Sequence, residues 1–238
     1  MTQWPKDQYY RERFFVPDLT PEQRSQLKKL KPKLVFVAES PHESEVAPEM
    51  RAERRPLCGK AGREWWQKIG QILKDEDDKS TELGRLLELC LAGDFAVMNA
   101  VQYPLDPKIT LYQGEEAAPV RGLGFSKVSP YSYKKLKDTE AVRRAVQNLR
   151  ERLNHSSLVH ALVVSLGNDA QWFVNQALQG SLERHLETIP HPSAWWRQGG
   201  KLRTRAELQL TSLLGAARTK PAKKQALFHS NSSKEKIV

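Results

Sequence analysis

The sequence predicts an α/β fold, a three-layer αβα sandwich around a central, mostly parallel four-stranded sheet. Two observations predict it. Four short apolar runs, most of them rich in β-branched residues, indicate strands buried in a parallel sheet. Segments with helical spacing of apolar residues lie between these runs and after the last one, and strands that alternate with helices are typical of a layered α/β fold.

The elements follow one another along the chain with clear limits. The strand candidates are 34–38, 95–101, 161–167 and 186–192, and the first three are almost continuously apolar. The helix candidates are 62–73, 81–93, 139–153, 168–180 and 203–217. In the fourth helix we expect Asn168 to be the N-cap and Gly180 to follow the last turn.

The composition favours a globular protein that binds a polyanion. Of the 238 residues 39% are hydrophobic, which is enough for a substantial core. The formal net charge of +10 favours nucleic acid as the partner, the alternative being a basic protein that is merely soluble. The N-terminal residues do not resemble a signal peptide, and no apolar run has membrane length. We therefore expect a monomeric, cytoplasmic protein with no membrane partner.

The cysteine count limits the chemistry. Cys58 and Cys90 are the only cysteines, and neither lies near a histidine at a spacing typical of metal ligands. A disulfide framework and a four-cysteine metal site are excluded by this count. We expect no metal and no cofactor.

The chain divides into a central domain with flanking segments. Residues 33–217 form the predicted catalytic domain, and residues 1–32 precede it as a helical or irregular segment. Within the domain, residues 104–136 are rich in proline, glycine and aromatics and predict a long insertion loop. Residues 218–238 carry six basic residues against one glutamate and predict a disordered basic tail.

Polar residues follow the predicted strands. Glu39 follows the first strand, Asn99 lies near the end of the second, and His191 lies in the last residues of the fourth. The carboxyl ends of parallel strands share one edge of the sheet, and ligands bind outside that edge. A carboxylate, an amide and an imidazole are therefore expected to converge there. Glu39 can be charged after an apolar strand because it faces a cleft.

Five motifs in this order resemble the uracil-DNA glycosylase superfamily, most closely its thermostable branch. They are A-E-S-P-H-x-x-E at 38–45, R-P-L-C-G-K-A-G at 55–62, M-N-A-V at 98–101, S-L-G at 165–167 and H-P-S-A-W-W-R at 191–197. The match covers roughly residues 33–200. The resemblance implies a monofunctional DNA glycosylase that flips a pyrimidine out of DNA and excises it. No lysine stands at the motif ends to form a Schiff base, so strand cleavage by the enzyme is not expected.

The resemblance implies a role for each polar residue. Glu39 would stabilise the oxocarbenium-like sugar and orient water, and His191 would donate to the pyrimidine O2 as negative charge grows there. Asn99 would recognise the Watson–Crick edge of the base. The residues expected to contact DNA are Ser40, Pro41, Gly59, Lys60, Ser193, Trp195, Trp196, Arg197 and Lys201.

The chain departs from the pattern at several positions. The branch binds an iron–sulfur cluster through four cysteines, and Tyr103 stands where one of them is expected. Leu57, beside Cys58, replaces the phenylalanine that stacks on the base, and His42 replaces a glycine near its C5 edge. With the insertion, these changes favour a 5-modified cytosine, hydroxymethylated or glucosylated as in some phage DNA. Such an enzyme would act in antiviral defence.

Other interpretations remain open. The chain could be a uracil-DNA glycosylase of base-excision repair, a non-catalytic protein that binds DNA lesions, or a glycosylase-like protein that traps DNA covalently. The residues could also have simpler roles: Glu39 in a surface ion pair, His191 in a turn, Asn99 in an Asx-turn or a helix cap, Gly59 and Gly62 in plain turns, and Trp195 or Trp196 in the core.

Overall fold

Four parallel strands form the centre of the protein. The computed structural model describes residues 32–41, 45, 57, 59–74, 83–101, 140–179 and 186–218. Within them the strands lie in the order β2-β1-β3-β4, and every neighbouring pair is parallel. Their bounds are β1 Leu34–Ala38, β2 Phe95–Asn99, β3 Leu162–Leu166 and β4 Leu186–Ile189.

Burial of the strands explains their composition. Every residue of β1 and β2 is buried, as are four of the five residues of β3, so these strands are apolar on both faces. The fourth strand differs, because only its last residue, Ile189, is buried. The continuous apolar runs therefore predicted the buried strands closely, and the less regular run belongs to the mostly unburied β4.

Helices cover both faces of the sheet. Their bounds are α1 Lys60–Leu73, α2 Leu83–Gly93, α3 Glu140–Leu153, α4 Gly167–Ala177 and α5 Lys201–Arg218. One core cluster joins alternate residues of the strands to α1, α2 and α5. The intervening strand residues point to the opposite face, where α3 packs on α4 and α4 contacts β1, β3 and β4. The predicted three-layer α/β sandwich is confirmed.

Aromatic side chains fill the centre of the first face. Phe36 of β1 makes edge-to-face contacts with Trp65 of α1 and Phe95 of β2, at centroid distances of 5.3 and 5.5 Å. All three side chains are completely buried. Edge-to-face pairs of this kind stabilise a core beyond the area they bury. They fix α1 against β1, which Glu39 follows, and against β2, which ends in Asn99.

The order of the strands places a crevice at the carboxyl edge. In the sheet, β2 lies on one side of β1, the strand that precedes it in the chain. β4 lies on the opposite side of its own predecessor, β3. The switch point of the sheet therefore lies between the carboxyl ends of β1 and β3, where open α/β sheets bind ligands. The sheet thus directs attention to the residues that follow β1, β3 and their neighbours.

Several sequence expectations fall differently or outside the described residues. Asn168 is not the N-cap of α4, because the helix already begins at Gly167 and Leu166 occupies the cap without a side-chain hydrogen bond. The expected end of that helix at Gly180 lies outside the described residues. So do the N-terminal segment 1–31, the 104–136 insertion and the basic tail from residue 219 onward.

Candidate functional site

Glu39 lies directly after β1 and its backbone is fixed. The backbone N–H of Val101 donates to the carbonyl oxygen of Glu39 at 2.9 Å, and that of Ala100 donates to Ala38 at 2.7 Å. The parallel pairing of β1 with β2 is therefore extended past the last strand residues. Glu39 is partly buried. Ser40 is also partly buried, and Pro41 is buried.

Asn99 ends β2 next to β1 and is almost completely buried. Its Cα is paired with that of Ala38, one residue before Glu39, so the two candidate residues follow neighbouring strands. The Asn99 Nδ2 donates a hydrogen bond to Oε2 of Glu45 at 3.2 Å. Glu45 is itself buried, with 2% of its surface exposed. A buried carboxylate requires such donors, so this contact fixes which end of the amide faces Glu45.

Arg152 of α3 holds the end of β2 from the opposite face. Its guanidinium donates to the backbone oxygens of Asn99 at 2.8 Å and Ala100 at 2.7 Å, and its Nε donates to Asn148 at 2.9 Å. The side chain is buried, and these contacts engage a donor on each of its three nitrogens. The strand end is therefore clamped at the point where the chain leaves the sheet.

Sequence reasoning missed both Glu45 and Arg152. Glu45 is the last residue of the first motif, and its fixed place there was the available signal. Arg152 lies three residues after Leu149 on the apolar side of its helix, a position where a charged residue is unusual. Together with Asn99 they form a buried polar network, which we define as Asn99, Glu45 and Arg152.

His191 follows β4 and Pro190, and its ring has a defined tautomer. The residue caps a short 3-10 helix, Pro192–Ala194. Its Nδ1 accepts the backbone N–H of Ser193 at 3.2 Å and lies 2.8 Å from the Ser193 hydroxyl. In a neutral ring with Nδ1 as the acceptor, the proton is on Nε2. The other side of the ring is therefore a hydrogen-bond donor.

His191 is also neutral at physiological pH. Burial, together with the smaller effect of the nearby positive charge of Arg197, lowers the pKa of His191 to about 4. A neutral imidazole donates through Nε2 without bringing a charge into the site. Glu39 and His191 follow strands separated by β3, so roughly two strand spacings, about 10 Å, lie between them across the sheet.

Gly167 provides the space for His191. It follows β3 with a φ of +87°, which glycine adopts without strain. A Cβ at this position would lie only 2.9 Å from the Cβ of His191. The fourth motif therefore contributes a backbone position that lets His191 pack closely against the end of β3.

The two tryptophans of the last motif have different environments. Trp195 is completely buried in the core, and its Nε1 donates to the Pro190 oxygen at 3.2 Å. The expectation that Trp195 contacts DNA is wrong, because its indole packs between helices and has no exposed surface. Trp196 has 57% of its surface exposed and can meet a partner. The alternative that one of the pair belongs to the core is confirmed for Trp195.

The second motif forms a tight turn into α1. Leu57 is buried in the core cluster with a φ of +56°, an unusual conformation for leucine. A Cβ on Gly62 would lie 1.9 Å from the Leu57 oxygen, so only glycine allows this approach. Gly59 is the N-cap of α1, and Lys60 is exposed. The burial of Leu57 is consistent with packing, and its contact with a base stays a prediction.

The remaining DNA-contact candidates lie on the surface beside His191. Ser193, Arg197 and Lys201 are all exposed. His42 and Cys58 lie outside the described residues. Among the described residues, no group of three or more acidic, histidine or cysteine side chains could hold a metal ion. No helix in the described ranges is long and apolar enough to cross a membrane.

The comparisons with known proteins give no family assignment. No protein-family model matches the chain, and no curated protein matches it either. The resemblance to the uracil-DNA glycosylase superfamily therefore stays a prediction that depends on the five motifs and their order.

Proposed function

We propose that the chain is a monofunctional DNA glycosylase that excises a flipped pyrimidine and leaves an abasic site. The observation that carries the proposal is the state of His191, a neutral ring with Nδ1 engaged as an acceptor. Such a ring offers its Nε2–H to a developing anion, and Glu39 follows a strand of the same sheet edge. A donor and a carboxylate on either side of a crevice are what N-glycosidic hydrolysis requires.

In the proposed reaction the bond between the sugar C1′ and the pyrimidine N1 breaks, and its electron pair leaves with the base. His191 donates a hydrogen bond from Nε2–H to the pyrimidine O2, where the negative charge grows, and keeps its proton. The Glu39 carboxylate stabilises the positive charge on the sugar and accepts a proton from the water that attacks C1′. The departing base takes its proton from solvent, so the ring of His191 stays neutral throughout.

Asn99 is the proposed reader of the base. A carboxamide both donates and accepts, as the edge of a pyrimidine does. The Glu45 carboxylate accepts one Nδ2–H of Asn99, so the amide cannot turn over without losing that bond. Asn99→Ala should therefore impair the choice of base more than the affinity for DNA.

For the excised base we propose a 5-modified cytosine, hydroxymethylated or glucosylated as in phage DNA. The proposal rests on Leu57 and His42, because a leucine leaves more room than an aromatic ring and a histidine can hydrogen-bond to a C5 substituent. An enzyme with this substrate would remove bases from foreign DNA and so act in antiviral defence.

The test is a glycosylase assay on matched oligonucleotides, with abasic sites read by alkali cleavage. The four substrates carry uracil, hydroxymethylcytosine, glucosylated hydroxymethylcytosine or cytosine at one position. Glu39→Gln should abolish cleavage and retain binding, whereas Glu187→Gln removes an exposed carboxylate on β4 and should leave the rate unchanged. A wild-type rate in Glu39→Gln would overturn the mechanism.

The substrates separate the alternatives. Cleavage of the modified cytosines alone supports the proposed base. Cleavage of uracil with the modified cytosines spared would assign the chain to uracil repair instead. Tight binding of DNA without cleavage of any substrate would contradict the enzyme proposal and favour a lesion-binding protein.

A further inference from the structure

Trp196 is an exposed indole in contact with one basic side chain. The guanidinium of Arg203 lies over its ring at 4.7 Å from the centroid, a cation–π contact. The indole is nevertheless 57% exposed, so Arg203 covers one face of an otherwise accessible ring. Arg197, the next residue, and Lys201, five residues on, are both exposed. An exposed aromatic among positive charges suits a nucleobase, whose ring stacks while the phosphates meet the cations.

Arg203 is itself held in place. Its Nε donates to Oε1 of Glu207 at 2.8 Å, one turn further along α5. Oε2 of Glu207 lies 3.3 Å from Nζ of Lys68 on α1. Burial would raise the pKa of Glu207, but its hydrogen bonds with Arg203 and Lys68 outweigh that effect and the pKa lies below its usual value. The glutamate is therefore ionised at neutral pH and fixes Arg203 against two helices.

We propose that Arg203 is a positioning residue that holds Trp196 ready to stack on a nucleobase beside the excised nucleotide. The inference rests on the proposed function, because DNA is the partner it requires. Arg203 acts through Trp196, and Glu207 with Lys68 acts through Arg203. An indole already fixed in the free protein loses little conformational entropy on binding, so its stacking on a base contributes more to the affinity for DNA.

The experiment measures positioning first without DNA. Acrylamide quenching of Trp196 fluorescence is taken as the difference between each protein and its Trp196→Phe partner. In Arg203→Met, quenching of Trp196 should rise, because the face covered by the guanidinium becomes accessible. Arg205→Met removes the same charge from an exposed position on the same helix and should leave quenching unchanged. Equal quenching in wild type and Arg203→Met would overturn the positioning role.

The second measurement tests stacking on DNA. A duplex carries 2-aminopurine next to the target pyrimidine, and binding is followed by its fluorescence. Arg203→Met should weaken binding by roughly fivefold, Arg203→Lys by less, and Arg205→Met by no more than the loss of one surface charge. In a Trp196→Ala background, Arg203→Met should weaken binding no more than Arg205→Met does, since Arg203 acts through the indole.

The outcomes separate this inference from the proposed function. If Arg203→Met weakens DNA binding by the same factor in the wild-type and Trp196→Ala backgrounds, Arg203 is a phosphate contact and the positioning role is wrong. If the wild type binds none of the DNA probes, the proposed function fails, and the stacking role fails with it. Should Arg203→Met not fold, Arg203→Lys and Glu207→Gln test the same role, and unchanged quenching in both would overturn it.

Discussion

Two parts of the candidate site use polar residues in opposite ways. The buried network of Asn99, Glu45 and Arg152 lies almost entirely out of solvent, and its groups hydrogen-bond to each other and to the end of β2. The histidine loop, which we define as residues 190–200, holds His191 partly exposed and Trp196 mostly exposed. The buried network contributes to the free energy of unfolding, whereas the loop leaves surface exposed to a partner. Substitutions in the two regions should therefore change different quantities.

The largest expected effect is on stability, in the buried network. Arg152→Met leaves the backbone oxygens of Asn99 and Ala100 buried without their donors. The free energy of unfolding should fall by about 3–5 kcal/mol, because each buried acceptor left unpaired costs about 1–3 kcal/mol. Urea denaturation measures it. Arg144→Met, on the exposed side of the same helix, should stay within about 0.5 kcal/mol of wild type. Similar losses of unfolding free energy in Arg152→Met and Arg144→Met would contradict the stabilising role of the buried network.

The next effect is on activity, in the histidine loop. His191→Ala removes the proposed donor to the leaving base and should cost about 2–4 kcal/mol of transition-state stabilisation, roughly 30- to 1,000-fold in kcat. The free energy of unfolding should change little. Single-turnover cleavage measures the rate, with the exposed His160→Ala as the matched control. A large loss of stability with a normal rate would make His191 a structural residue.

Substitution of Gly167 should lower both the stability and the cleavage rate, each by less than the substitutions above. In Gly167→Ala the new side chain must adopt a φ of +87° and lies against the Cβ of His191. The left-handed conformation costs about 1–2 kcal/mol of stability, and displacement of His191 should lower the rate. Gly215→Ala serves as the control, since a Cβ there meets nothing within 4 Å. A wild-type rate in Gly167→Ala would show that the position of His191 is not critical.

The smallest effect is the response to moderate acidity. The pKa of His191 is lowered to about 4 in the folded protein, so the unfolded chain binds the extra proton first as the pH falls. Its contribution to stability is complete above the ordinary histidine pKa of about 6.5 and is lost as the pH falls from there toward 4. The cleavage rate should stay level down to about pH 5. A titration of the rate with its midpoint near 6.5 would contradict the neutral-donor assignment.

The sequence predicted the fold better than the contacts of the site. Apolar runs marked β1, β2 and β3 to within two residues, because a strand buried on both faces must be apolar throughout. The order of the strands also places Glu39, Asn99 and His191 along one edge, as their positions after strands predicted. The side-chain contacts of the site depend on residues that are distant in sequence, and a local sequence pattern does not contain them.

Three particular failures show why. Glu45 and Asn99 are 54 residues apart, and Arg152 is 53 residues from Asn99, so neither contact leaves a local pattern. Trp195 and Trp196 are identical in type and adjacent, yet one is in the core and the other faces solvent, because a short 3-10 turn decides which indole points inward. Asn168 resembles a cap, but α4 begins directly from β3 at Gly167.

The two prolines that flank His191 have a consequence for the unfolded chain. Pro190 and Pro192 each have a fixed φ, and a residue before proline is kept out of the helical region. His191 has φ −59° and ψ 140° in the folded protein, within the region that Pro192 favours. Much of the conformational entropy that this residue would lose on folding is therefore already absent before folding begins. The imidazole is directed by the covalent chain as well as by its hydrogen bonds.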